Sequence, residues 1–290
     1  MSLDNRISVV VSTLGRSHEL KPLLDSLVDQ QVKATEVIIV DQNDDDRISH
    51  VICYYLNNLD IRHIQVPNVR GSSNGRNIGW KESTGDILLF ADDDCWYPVD
   101  FLAKAIHLFR CSKPDVICGR AADLFGRSIN GRFLTEKQEV NRSNVWVSQI
   151  EWVVLFKRSV LEAVGGYSPH IGIGADSPWQ SAEGQDITLY ALSSGFNVYF
   201  DPNLYGHHAE LPVADPNAET CKKAYGYARG MGFVLGSHQY GIVSLLHWVM
   251  RPLIGCILYL VRLQMNRSRY YWGITRSRSL GYFEGRSYQK

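Results

Sequence analysis

The chain reads as an α/β protein: a mostly parallel central sheet with helices on both faces, followed by a C-terminal helical appendage. Three observations predict this. Up to residue 118, short β-rich apolar runs alternate with segments of helical periodicity, the pattern of a sheet whose strands are joined by helical crossovers. Thr13, Asp41 and Asp92 each follow the apolar run of a different strand, so polar positions gather along one sheet edge. Charge also divides along the chain. Residues 1–221 hold 19 Lys and Arg against 29 Asp and Glu, whereas residues 222–290 hold 11 against a single acid, Glu284.

The elements follow in order. Ile7 to Ser12 is a strand, and the segment from Ser17 is a helix with Leu20, Leu23, Leu24, Leu27 and Val28 on one stripe. Pro22 falls early enough for a first helical turn. Glu36 to Val40 is the second strand, Arg47 to Leu59 a helix, and Arg62 to Val66 the third strand. Ser72 or Ser73 caps a helix that stops near Gly85, and Asp86 to Ala91 is the fourth strand. Pro98 opens a helix through Phe109, and Asp115 to Cys118 is a fifth strand. The second half is less regular. Gly126 to Asn144 reads as a polar excursion, and Val145 to Phe156 is long and apolar. A short helix ends at Gly165-Gly166, and Ile171 to Ser181 is a glycine-rich loop carrying Trp179. Glu183 to Ser193 is helical and Phe196 to Phe200 a strand. The expected division is a domain over 1–221, with halves at about 1–120 and 121–221, and a tail over 222–290.

A hydrophobic content of 45% excludes a disordered chain. The six cysteines are scattered without a Cys-x-x-Cys pair, which points to buried thiols in a reducing compartment. The start, Met1 to Arg6, lacks the basic and apolar regions of a secretion leader, so a cytoplasmic location is expected. No stacking or recognition motif accompanies the basic tail, which argues against nucleic acid as the partner.

Asp92-Asp93-Asp94 directly follows the apolar run Ile87–Ala91. Adjacent carboxylates repel one another. At a strand end, where ligands of such sheets collect, they suggest a shared cation; a solvated acidic turn is the plain alternative. Oxygen-only ligands favour Mg²⁺ or Mn²⁺ over zinc. Asp44, Asp45 and Asp46 read instead as a solvated turn before a helix.

Together, Val9–Thr13, Glu36–Asp41, Gly75–Gly79, Gly85–Asp94, Gly165–Tyr167 and Glu183–Asp186 resemble the motifs of the family 2 glycosyltransferases, over roughly residues 6–210. The resemblance implies the GT-A fold, which is Rossmann-like. It also implies inverting transfer of a sugar from a nucleoside-diphosphate donor, assisted by Mg²⁺ or Mn²⁺, in polysaccharide biosynthesis. By this resemblance Ser12, Thr13, Asp41, Gln42, Arg76, Asn77, Asp92 and Asp93 surround the nucleotide-sugar, with uridine the favoured base. Gln42 stands where a second aspartate is common. The metal ligands come from Asp92, Asp93 and Asp94, with one of His207 and His208. Glu183 is the expected general base, with Asp186 the alternative, because Gly184 replaces the adjacent acid of the family pattern. Trp179 is a candidate for stacking on an acceptor sugar. Two other readings compete: a nucleotidyltransferase, for which Ser12–Arg16 is a poor phosphate loop, and a non-catalytic binder, favoured by Gly184.

Ile242 to Val261 is strongly apolar but holds His247, Arg251 and Pro252. An arginine at mid-bilayer costs roughly 2.5–3.5 kcal/mol, so an interfacial helix is expected rather than a span. Arg262, Arg267, Arg269, Arg276 and Arg278, with Tyr270, Tyr271 and Trp272, suit an anionic headgroup zone. The expected setting is peripheral, on the inner face of the cell membrane, beside a saccharide or lipid-linked acceptor.

Overall fold

The alternating runs build a nine-stranded sheet. A computed structural model describes residues 6–210 and 216–288; the reading of Met1–Asn5 as a leaderless start falls outside them. Contacts group the chain into two units: Met1–Tyr167 with Ile187–Leu211, and Ser168–Asp186 with Pro212–Lys290.

The first unit contains β1 (Ile7–Thr13), α1 (Leu20–Val28), β2 (Glu36–Asp41), α2 (Ser49–Tyr55), β3 (Ile61–Gln65), α3 (Ser72–Glu82) and β4 (Ile87–Ala91). It continues through β5 (Cys95–Trp96), α4 (Phe101–Cys111), β6 (Val116–Ala122), β7 (Gln138–Glu139), β8 (Val154–Lys157) and α5 (Arg158–Val164). It resumes at Ile187 within α6 (Glu183–Ser193) and ends with β9 (Val198–His208). The strand order is β3-β2-β1-β4-β8-β6-β9-β5, with β7 on β9.

β3, β2, β1 and β4 are mutually parallel. In β2, β1 and β4 the side chains alternate between two covered faces, so these three read as near-continuous apolar runs, whereas β3 at the sheet edge is polar and partly exposed. Val9 and Val11 join the core with Leu20, Leu23, Leu24 and Leu27 of α1. Val10 points the other way, toward α3. A Cβ on Gly79 would lie 2.3 Å from Val10 Cγ1, and one on Gly75 2.0 Å from Ser12 Oγ. The two glycines therefore let α3 lie against β1, and their role in the family-like motif is close approach. At the opposite end, buried Glu36 accepts from Ser8 Oγ at 2.6 Å, Thr84 N at 2.6 Å and Thr84 Oγ1 at 2.9 Å. Burial pushes this carboxyl up, but the hydrogen bonds from Ser8, Thr84 and Gly85 outweigh it and hold it below its ordinary value.

Beyond β4 the sheet is mixed. β8 runs antiparallel between β4 and β6. The apolar segment from Val145 becomes two 3-10 turns, Val145–Val147 and Glu151–Val153, leading into this strand. β9 is longer than the expected Phe196–Phe200. It pairs with β6 up to Phe200, bulges over residues 201–204, and resumes at Tyr205 through His207. Arg120 Nε donates to Pro202 O at 2.6 Å and fastens the bulge.

The second unit holds α7 (Ala218–Ser237), α8 (Ile242–Val261) and α9 (Met265–Ser287). The Asn217 side chain accepts from Thr220 N and caps α7. A Cβ on Gly232 would lie 2.0 Å from Arg278 O, and one on Gly285 2.1 Å from Phe233 O. Glycine at these positions brings the α7 and α9 backbones together. Trp179 packs in this unit, with its ring stacked on Phe233 at 3.6 Å between centroids. Its Nε1 donates to Glu284 at 2.8 Å, and Glu284 also pairs with Arg229.

Candidate active site

The site is assembled from the carboxyl ends of β1, β4 and β9. Thr13 closes β1, and its hydroxyl donates to Asp93 Oδ2 at 2.7 Å. The turn after β1 uses Gly15 at φ 75°, whose amide donates to Asn43 Oδ1 at 2.7 Å. That turn presents Arg16, which donates to Asp94 Oδ2 at 2.9 Å and lies 3.8 Å from Asp93 Oδ1. Arg76 rises from α3 almost fully buried, at 4% exposure, and donates to Asp92 Oδ1 at 2.9 Å. Its guanidinium also lies over the Tyr167 ring, 5.4 Å from the centroid.

β5 brings the end of β9 to the triplet. This two-residue strand pairs Cys95 with His208 and Trp96 with His207. His208 Nε2 then lies 3.1 Å from Asp94 Oδ1. His207 faces elsewhere, with Nδ1 2.9 Å from Ala122 O. Of the two candidate histidines, the geometry brings His208 alone to the acidic triplet. Arg16 and β5 were not recognised as parts of the site from the sequence. The signal for Arg16 was its place in the turn after β1; β5 had none.

The electrostatics separate the carboxylates. Burial first, then the neighbouring Asp94 and Asp92, push Asp93 up to about 7, against the Thr13 hydrogen bond and Arg16. Asp94 is held below its ordinary value by the His208 hydrogen bond and by Arg16, against burial. His208 is raised, chiefly by Asp94. The triplet is met by two arginines and an imidazole. Among the described residues no three His, Cys, Asp or Glu side chains form a metal-holding group. Carboxylate oxygen beside imidazole nitrogen, as in Asp94 and His208, nevertheless suits Mg²⁺ or Mn²⁺ when a ligand's oxygens and water complete the shell.

The nucleotide-side residues divide. Gln42 accepts from Ser12 Oγ at 3.3 Å and donates to Gly71 O at 3.1 Å. Asp41 is fully buried; its Oδ1 accepts from Asn43 N and Nδ2, and His63 Nε2 lies 3.0 Å from its Oδ2. The Asn77 amide bonds both ways with the Tyr167 backbone, at 2.7 and 2.8 Å. It clamps the Gly165–Tyr167 turn to α3, a role the family-like motif did not suggest.

The second unit carries the candidate bases. Glu183 and Asp186 lie in the first turn of α6, both buried. Asp186 Oδ1 is 2.7 Å from Nε2 of His238, a buried residue at the end of α7. Nothing in the sequence spacing pointed to that partner. Trp179 has one ring face against Phe233.

Fold and site together are those of a sugar-transferring enzyme. The family model for glycosyl transferase family 2 matches residues 8–161, and the chain belongs to that family. Glycosyltransferase AglE of Haloferax volcanii is 25% identical over 243 residues, 77% of this chain and 72% of that protein. The GalNAc(5)-diNAcBac-PP-undecaprenol β-1,3-glucosyltransferase of Campylobacter jejuni is 24% identical over 164 residues, 54% of this chain and 53% of that one. Two solved structures share the fold. The mannosyltransferase PcManGT of Pyrobaculum calidifontis, in complex with GDP-Man and Mn²⁺, aligns with a TM-score of 0.63 at 16% identity, covering 94% of this chain and 86% of its own. Residues 1–349 of S. aureus TarS with UDP-GlcNAc align with a TM-score of 0.57 at 17% identity, covering 98% and 93%. The GT-A fold expected from the motifs is the observed one.

Proposed function

We propose that the chain is an inverting glycosyltransferase that takes a sugar from a nucleoside-diphosphate donor, a UDP-sugar first among them. The acceptor is a saccharide or lipid-linked saccharide of polysaccharide biosynthesis, reached at the cytoplasmic face of the cell membrane. One observation carries the reading: Thr13, Arg16, Arg76, His208 and the aspartate triplet meet in hydrogen-bond contact at the edge where such sheets bind ligands. Relatives and fold neighbours that use nucleotide-sugars or lipid-linked saccharides support the substrate classes.

In this reading Asp92, oriented by Arg76, faces the ribose, and Ser12 and Gln42 border the base. Asp94 and His208 are the pair that would hold Mg²⁺ or Mn²⁺, which supplies charge stabilisation to the departing diphosphate. Glu183 takes the acceptor hydroxyl proton as that oxygen bonds the anomeric carbon and the bond to the diphosphate breaks. Asp186 is engaged by His238 and positions the start of α6.

The test is release of nucleoside diphosphate from a panel of UDP-, GDP- and dTDP-sugars with Mn²⁺, Mg²⁺ or chelator, alongside calorimetric binding of the free nucleotides. Turnover of one donor class that stops on chelation is expected. Binding without turnover in every combination would leave a non-catalytic binder.

A further inference from the structure

α8 is inside out for a helix on a water-facing surface. Its protein-facing stripe is narrow, with Leu245, Val249 and Pro252 buried. The opposite stripe is apolar as well. Val243, Leu246, Met250, Ile254, Ile257 and Val261 recur at spacings of three and four and are all exposed, Val243 at 75% and Val261 at 77%. Twenty residues make this stripe about 30 Å long. Contiguous exposed apolar surface of that extent marks an interaction face.

The charge around it selects the partner. Arg251, Arg262, Arg269, Arg276 and Arg286 are all exposed on α8, on α9 or in the turn joining them. The one acid of residues 222–290, Glu284, is paired with Arg229. A second copy of the chain would bring the same positive charge to the contact, whereas anionic lipid headgroups would neutralise it.

The pairing of α8 with α9 selects the geometry. Tyr259 stacks on Tyr271 at 5.4 Å, Ser268 Oγ donates to Cys256 O at 2.9 Å, and Arg278 donates to Trp248 O at 2.5 Å. The two helices therefore run antiparallel along most of their length, turning at Leu263 in the left-handed region. If α8 crossed a bilayer, it would draw the arginines of α9 in with it, besides its own Arg251 at mid-helix. Lying in the headgroup plane, α8 can bury its outward stripe while the arginines stay among phosphates.

We propose that the outward stripe of α8 docks flat on an anionic membrane leaflet, with the exposed arginines of the α8–α9 hairpin as its phosphate contacts. This deepens the functional reading by naming the surface that would serve a lipid-linked acceptor, and it rests on that reading only for the acceptor. Docking itself is measured without donor or acceptor, so transferase activity can fail while docking stands, and the reverse.

The experiment is flotation of the full chain with vesicles containing phosphatidylglycerol, compared with vesicles of phosphatidylcholine alone. The expected result is partitioning to the anionic vesicles that weakens with salt and is released by alkaline carbonate. Leu246→Glu with Ile257→Glu lowers it roughly tenfold per substitution. Arg262→Gln with Arg269→Gln lowers it about fivefold per substitution. All four positions are exposed, and an unchanged thermal melt checks that the fold is intact. If the glutamate pair does not fold, the arginine pair still decides the matter. Three results overturn the proposal: flotation unaffected by either pair, retention in the bilayer after carbonate, or a vesicle-independent dimer that the glutamate pair dissolves.

Discussion

Replacing His238 by alanine separates the roles of the two acids on α6. Asp186 and His238 are both buried, with side chains 3% and 6% exposed, and their atoms are 2.7 Å apart. Removing the imidazole strands a carboxylate away from water. Breaking a buried pair of this kind costs about 3–5 kcal/mol, of which the lost hydrogen bond accounts for about 1.5–3 kcal/mol. For a protein of this size that corresponds to a fall in melting temperature of roughly 5–8 °C. Asp186→Asn is expected to destabilise by less. Combined with His238→Ala it should cost less than the sum, with a coupling of about 1–3 kcal/mol. Glu183→Gln should lower turnover by about 10²–10⁴-fold, the contribution of a positioned base. Denaturation followed by circular dichroism and nucleoside-diphosphate release from the donor measure the two effects separately. The reasoning is refuted if Glu183→Gln turns over normally while Asp186→Asn is as stable as the parent and inactive.

The other predictions concern the sheet. His208→Ala should weaken the Mn²⁺-dependent part of nucleotide binding, whereas His207→Ala should lower stability with that part intact; calorimetry with and without the ion distinguishes them. Asn77→Ala loses its bonds to the Tyr167 backbone and to Trp80 Nε1 and should cost about 2–4 kcal/mol in denaturant melts, while Asn77→Asp keeps the acceptor half. Glu36 has a folded pKa below its unfolded value near 4.3. The stability it contributes is complete above that unfolded value and is lost as pH falls through the lower folded one. Glu36→Gln should therefore be less stable than the parent at neutral pH, with the difference closing in acid, as paired melts across that range would record.

Legibility in the sequence followed the physics of each part. β1, β2 and β4 are buried on both faces, so their runs are continuous and their ends were evident. The triplet was found for the same reason, because it interrupts such a run. β9 was found only as far as Phe200, since Asp201-Pro202 signals a turn and resumed pairing depends on β6, 85 residues away in the chain. β5 is two residues long and has no periodicity to detect. His238 reaches Asp186 across 52 residues, a contact that helical spacing cannot show. The bonds of Asn77 to the Tyr167 backbone were not legible, because a motif fixes position in the chain and not the direction of a side chain.

The balance of charge around the triplet also changes the argument for a cation. Arg76 holds Asp92, Arg16 and His208 hold Asp94, and Thr13 donates to Asp93, whose carboxyl is raised by burial and its acidic neighbours. Before a donor arrives, little uncompensated negative charge remains. A nucleoside diphosphate would add its own charge beside carboxylates whose arginines are already engaged. Either those arginines exchange partners or positive charge enters with the donor, so the need for a divalent ion is set by the diphosphate rather than by the three aspartates. UDP binding that is equally tight with Mn²⁺ and with chelator would mean that Arg16 and Arg76 change partners. Arg76→Lys would then cost more affinity than in an ion-assisted site, because lysine cannot hold two partners in the planar fork of a guanidinium.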